Sequence, residues 1–210
     1  MRKATLISLA LLLSANYGPL AAAQRPRICE DKNGALIQAI RIIDRACNDI
    51  DCNFSTLREL NFRIEKEALL AAFRNPDLQS VHIFFPVSKS DETDILDWNA
   101  SKRSQLNSIK YAAGLEDSVI FVLGRASAIG DIDTNIRLSR ARMQTVMRYL
   151  KYDLHLNCRG FRGGWFGREI LQLTKSDAAM LQIDSQDFRD DEDILNQSVH
   201  IFVFPCGGLL

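Results

Sequence analysis

Arg142 carries the clearest chemical potential in this chain, because of what precedes it. Gly124 and Gly130 bound a short loop, Asp131, Asp133 and Asn135 follow it, and Arg142 stands seven residues beyond Asn135. Seven residues make two helical turns, so in a helix Asn135 and Arg142 share a face. The glycines let a strand turn tightly into that helix. Polar side chains at its start cap free N–H groups, and negative charge there suits the helix dipole. Loop, helix start and guanidinium then converge on one shallow surface. A guanidinium grips a carboxylate through two parallel hydrogen bonds, so that surface suits a small carboxylate-bearing ligand.

The other reactive residue types lack partners. His82, His155 and His200 stand in no motif that supplies a base and nucleophile or a metal-ligand set, so no enzyme activity, metal or cofactor is expected. His82 and His200 read as packed strand residues. The acidic run Asp187 to Asp193 (DFRDDED) lacks the alternating ligands and turn glycine of a calcium loop, and is read as a solvated loop. GFRGGWFG, residues 160–167, has no following lysine for a phosphate loop and is read as a flexible turn exposing Trp165. Five cysteines, Cys29, Cys47, Cys52, Cys158 and Cys206, are disulfide candidates, with at least one left over because the number is odd. Cys47 and Cys52 are open to pairing with each other or with Cys29, and Cys158 with Cys206; spacing does not decide. None forms a CxxC pair, which argues against redox catalysis or a zinc ribbon.

The elements that must position these residues follow from periodicity. Gly34 to Asn48 and Thr56 to Arg74 have helical spacing, with CNDIDC (47–52) at the corner between them and Asn75-Pro76-Asp77 as the stop. From residue 81 the pattern alternates: strand Val81–Val87, helix Asp91–Ala113, strand Ser118–Gly124, helix Thr134–Lys151, a weaker strand Leu154–Phe161, an irregular stretch 163–194, and a last strand Val199–Phe204. Such alternation predicts helices packed on a mixed sheet. The last strand is apolar on both faces, Val199, Ile201 and Val203 on one side and His200, Phe202 and Phe204 on the other. Helices on one side would leave those phenylalanines wet, so the N-terminal hairpin, or else a protein partner, is expected to cover the second face.

The segment GRASAIGDIDTNIRLSRARMQTVMRYL (124–150) is similar to the signature of the OmpA-like peptidoglycan-associating family. There a strand ends in G-[HY]-T-D-x-x-G, followed by an asparagine, L-S-x-x-R and a helix ending in Y-L. Gly124, Gly130, Asn135, Leu138, Ser139, Arg142, Tyr149 and Leu150 match, VHIFFPVSKSDETD (81–94) resembles the opening strand and turn, and Asn196-Gln197-Ser198-Val199 stands where the family has N-R-R-V. The resemblance covers about residues 80–206. It implies an α+β fold, a β-α-β-α-β-β sandwich of two helices on a mixed sheet, and a non-catalytic module that anchors to peptidoglycan. It implies a site for the diaminopimelate stem built from Arg142, Asn135, Ser127, Asp131, Leu138 and Ser139. The chain departs from the pattern: Ser127 replaces the aspartate that takes the ligand's ammonium, Ala126 replaces a threonine, Arg125 occupies the histidine or tyrosine position, where it would repel an ammonium, and Gln197 and Ser198 replace two arginines. Asp131 and Asp133 are the carboxylates left to substitute. The second reading is therefore a degenerate scaffold subunit of an envelope-spanning secretion, conjugation or motor complex that no longer binds peptidoglycan.

Bulk properties agree with an exported module. The 210 residues hold 26 Lys+Arg and 26 Asp+Glu, a balance that does not advertise nucleic acid or an anionic membrane. Arg2 and Lys3, the apolar run Ala4–Leu13 and Ala21-Ala22-Ala23 read as a secretory signal at 1–23. After its cleavage no transmembrane segment remains, since no later stretch reaches the ~20 apolar residues a span needs. The expected organisation is then a helical hairpin at 24–78 and the OmpA-like domain at 79–206, with an insertion at 163–194. The expected location is the periplasm or cell envelope, associated with the outer membrane, in the company of other envelope proteins.

Overall fold

The structure is a computed structural model. It describes residues 78–95, 100–112, 114–168 and 172–210, with 29–30, 34, 37–38, 40–41, 47–48 and 51–53 ahead of them. The signal at 1–23 and the second hairpin helix at 56–74 lie outside the described residues.

Six strands form one mixed sheet: β1 (Cys47–Asn48), β2 (Asp51–Asn53), β3 (Gln79–Phe84), β4 (Val119–Gly124), β5 (Gly160–Trp165) and β6 (Ser198–Phe204), in the order β1-β2-β5-β4-β6-β3. β5 runs parallel to β4, while β6 is inserted antiparallel between β4 and β3. Between the parallel strands run two crossover helices, α1 (Ala100–Ile109) and α2 (Ile132–Arg148). Both pack on one face, where Leu106, Ile109, Met143, Val146 and Met147 meet Ile120, Val122, Val199, Ile201 and Val203. This is the sandwich of two helices on a mixed sheet that the resemblance implies.

The alternation in β6 sorts as expected. Phe202 and Phe204 join Phe121 and Leu123 on the second face, and the described N-terminal residues Cys29, Ile37 and Ile40 are buried against them. A disulfide between Cys29 and Cys206 ties that cover to the end of the chain. The open pairing of Cys158 with Cys206 is thereby corrected: Cys158 is a free thiol packed on the helix face, while Cys206 lies on the other side of the sheet. Two cysteines separated by a sheet cannot meet without moving backbone.

Three other expectations change. Residues 37–38 and 40–41 are helical, but 47–48 belong to β1, paired in antiparallel register with β2 (Cys47 opposite Cys52). Cys47–Asn48 and Asp51–Asn53 thus pair as strands rather than flanking a helix corner, and β2 lies parallel along β5, whose edge hydrogen-bonding groups would otherwise be open. The weaker strand shifts: residues 149–153 continue α2 as a wide helical turn, and GFRGGW, read as a flexible turn, is β5 itself. Trp165 is half-buried with Arg140 over its ring at 4.9 Å. The stretch 163–194, expected to be irregular, holds α3 (Lys175–Met180) and the start of α4 (Glu192–Asn196), and Leu173, Phe188 and Leu195 are buried against Phe84. Asn196 clamps this segment by bonding both backbone groups of Leu173. The acidic run is engaged as well: Asp187 pairs with the buried Lys102 of α1 at 2.8 Å, and Asp191 caps α4.

Candidate functional site

The C-terminal ends of β3 and β4 and the N-terminal start of β6 meet at one end of the sheet, and α2 begins beside them. Backbone bonds lock this corner: Phe85 N–H donates to Gln197 O, and Arg125 N–H donates to Ser198 O. Gly124 makes the approach of α2 possible. A Cβ there would stand 2.0 Å from Ser139 O, so no other residue fits without displacing the helix. Gly130, at φ +91°, supplies the turn into α2. Asp131 caps the helix by accepting Thr134 N–H at 2.8 Å, and the bonds from Thr134 hold its carboxyl below the usual range.

A cleft of about 100 Å³ opens at this corner. Ser127, Asn135, Leu138 and Arg142 line it, joined by Ala126, Gly130 and Thr134 from the same loop and helix, by Val87 and Ser88 beyond β3, by Ile129, and by Gln197 ahead of β6. Asp131 and Ser139 do not line it. Asp131 is exposed and spent on the cap, while Ser139 is buried, donating to Ile136 O and accepting from Gly167 N–H. Asp133 is exposed in the first turn of α2. Neither carboxylate lines the cleft. Arg125 is corrected too: its buried side chain points to the second face, over the Phe166 ring at 5.5 Å, so it does not confront a ligand in the cleft.

Arg142 sits at the floor rather than on a shallow surface. It is 1% exposed, with its guanidinium 5.5 Å from the Phe85 ring centroid. Nε donates to Lys89 O at 2.8 Å, one Nη to Arg125 O at 3.2 Å and the other to Pro86 O at 3.0 Å. Three of the five N–H that a guanidinium owns are thus spent on carbonyls that shape the loop, and two remain. Among the described residues no carboxylate pairs with it. Burial lowers its pKa to about 10, which leaves it cationic at neutral pH. A buried cation held by neutral dipoles attracts an anion strongly.

Gln197 is the wall residue that sequence reasoning passed over as a lost arginine. It is 2% exposed, and neither its Oε1 nor its Nε2 has a hydrogen-bond partner among the described residues. Its place just before the last strand, where the family has N-R-R, was the available signal. The mouth of the cleft is apolar, with Val87 and Ile129 exposed there and Ile132 and Ile136 exposed on the adjoining first turns of α2. A larger open groove of about 530 Å³ lies at the opposite end of the sheet between residues 110–117 and 155–157. There Asn157 already donates to Glu116, and no buried cation faces the space. Among the described residues no group of three metal-ligating side chains occurs.

The fold and this corner define a class: an α+β domain of two helices on a mixed sheet, with a cleft at the end of that sheet. No family model and no curated protein matches the sequence. Solved structures do resemble it. The peptidoglycan-associated lipoprotein from Burkholderia pseudomallei is 15% identical with a TM-score of 0.40, covering 58% of this chain and 88% of that one. The OmpA-like domain of FopA1 from Francisella tularensis is 23% identical with a TM-score of 0.41, covering 61% and 74%. The periplasmic domain of Helicobacter pylori MotB is 18% identical with a TM-score of 0.39, covering 58% and 69%. These likenesses concern the backbone. What the cleft can hold is decided by the side chains of this chain.

Proposed function

We propose that this protein is a non-catalytic envelope module that anchors to peptidoglycan, holding a carboxylate of the stem peptide in the cleft above Arg142. The observation that carries the reading is a buried guanidinium with spare N–H groups and no carboxylate partner among the described residues, on the wall of a cleft. Hydrogen bonds to a charged group contribute about 1.5–3 kcal/mol each, enough for a useful contact that repetition along a polymeric wall would strengthen. The motif resemblance and the exported character of the sequence support the periplasm as its place. The test is co-sedimentation of the full chain with purified sacculi. Wild type should pellet with them, and Arg142→Ala should not. Because that change also frees three carbonyls, Ile129→Glu is the companion variant: Ile129 is 57% exposed, so the fold tolerates it, and the added negative charge at the mouth should weaken retention several-fold at low salt. Retention unchanged in Ile129→Glu and in a folded Arg142→Ala would refute the assignment of the cleft.

A second reading, a scaffold subunit of a larger envelope assembly without wall binding, is favoured by two observations. Arg142 spends most of its donors on Lys89, Arg125 and Pro86 carbonyls, and Val87, Ile129, Ile132 and Ile136 are exposed together. Recovery in a large detergent-extracted assembly, with no sacculus binding, would select it.

A further inference from the structure

We infer that the cleft is built for the carboxyl terminus of an acylated amino acid: one carboxylate on Arg142, the adjoining peptide amide on Gln197, and no ammonium. This deepens the wall-anchoring reading and rests on it. Its basis is the charge and hydrogen-bond inventory of the wall. Among the described residues, Arg142 is the only charged side chain lining the cleft, the nearby Asp131 is committed to its helix cap, and the rest of the described lining is neutral or apolar. A ligand ammonium would therefore meet no anion among the described residues, and it would stand close to a buried cation. Ligands bearing a free amino group next to the carboxylate should be rejected, because like charges in a desolvated site repel.

Gln197 supplies the second half of the specificity. Its primary amide offers both a donor and an acceptor, and both are buried without a partner among the described residues. A peptide amide, being trans, meets one of them at a time, through its N–H to Oε1 or its C=O to Nε2. The Gln197 carbonyl is fixed by Phe85 N–H, and Arg142 donates to Pro86 O, the next residue along. The Gln197 backbone and the Arg142 guanidinium are thus held to the same two-residue stretch, and both residues line the one cleft. The room of about 100 Å³ is small beside the ~300–1,000 Å³ of ordinary ligand clefts and suits the end of a chain.

The experiment is titration of the full chain, followed by amide chemical shifts, with N-acetyl-D-alanine, free D-alanine, N-acetyl-D-alanine amide and diaminopimelate. N-acetyl-D-alanine should shift residues 126–135 and 197 and bind at least about tenfold more tightly than the two zwitterions, and its amide should not bind. Gln197→Leu should weaken N-acetyl-D-alanine about tenfold, the loss expected when one buried hydrogen-bonding partner goes, and should leave propionate binding unchanged. The same variant should melt no lower than wild type, because it removes an unsatisfied buried amide. Equal binding of free D-alanine or diaminopimelate, or a Gln197→Leu variant indistinguishable from wild type, would overturn the inference. Sacculus retention run alongside separates the two ideas. Retention without acetyl preference sinks this inference alone, whereas acetyl preference without retention sinks the wall anchor and leaves the cleft chemistry standing.

Discussion

Acid should unfold this protein through two buried histidines on the β3–β6 side of its sheet. His82 and His200 lie opposite each other in the β3–β6 register, their rings stacked 4.0 Å apart, both on the second face. They are 7% and 0% exposed. Burial pushes both well below the ordinary imidazole range, and the Arg125 guanidinium adds to this for each; Lys102 adds to it for His82, and His82 itself for His200. The sign follows from proton counting. The folded state holds both rings neutral, while in the unfolded chain each takes a proton near pH 6.5. Between the unfolded and the lower folded values the unfolded state binds more protons, so stability rises with pH in that window and is lost as pH falls through it. Each proton is worth about 1.4 kcal/mol per pH unit, so two rings held neutral should together cost roughly 2–3 kcal/mol between pH 7.5 and 5.5. Urea unfolding at pH 7.5, 6.5 and 5.5 measures it. His82→Gln and His200→Gln should each remove about half of the slope, since one ring still titrates. Stability level across the range, or slopes unchanged in the variants, would refute the idea that this pair is held neutral by burial.

Two further outcomes follow from the packing. Replacing Cys29 and Cys206 together by serine opens a bridge spanning 177 residues, for which chain entropy sets an upper loss of about 5 kcal/mol; a fall of about 2–5 kcal/mol in the unfolding free energy from urea titration is expected, and less than about 0.5 kcal/mol would mean that the bridge does not hold the N-terminal cover. Gly124→Ala drives a methyl into Ser139 O and should cost about 3 kcal/mol or more, read by thermal melting, with loss of acid binding at the cleft because α2 must move.

Order and facing of the elements were legible from residue pattern alone. The strand–helix alternation from residue 81 fixes two helices on a sheet, and the doubly apolar β6 demands a cover on both sides, which Cys29, Ile37 and Ile40 help to supply. Local chemistry was legible as well: Asp131 caps, Gly130 turns, and Arg142 faces the loop through Arg125 O. These are short-range consequences of backbone geometry, which neighbouring residues carry among themselves.

Pairing across the molecule was not. β5 is rich in glycine and looks like a turn, but it becomes a strand because β4 and β2 offer it hydrogen bonds on both sides. The Cys29–Cys206 bridge and the burial of Phe188 and Leu195 on Phe84 depend on which sheet face each segment meets, and no local spacing encodes that. The depth of Arg142 belongs here too. Whether a guanidinium lies on a surface or on the floor of a cleft is set by three carbonyls from residues 86, 89 and 125. Only the folded backbone brings them around it, and that same closure leaves the Gln197 amide buried and waiting at its side.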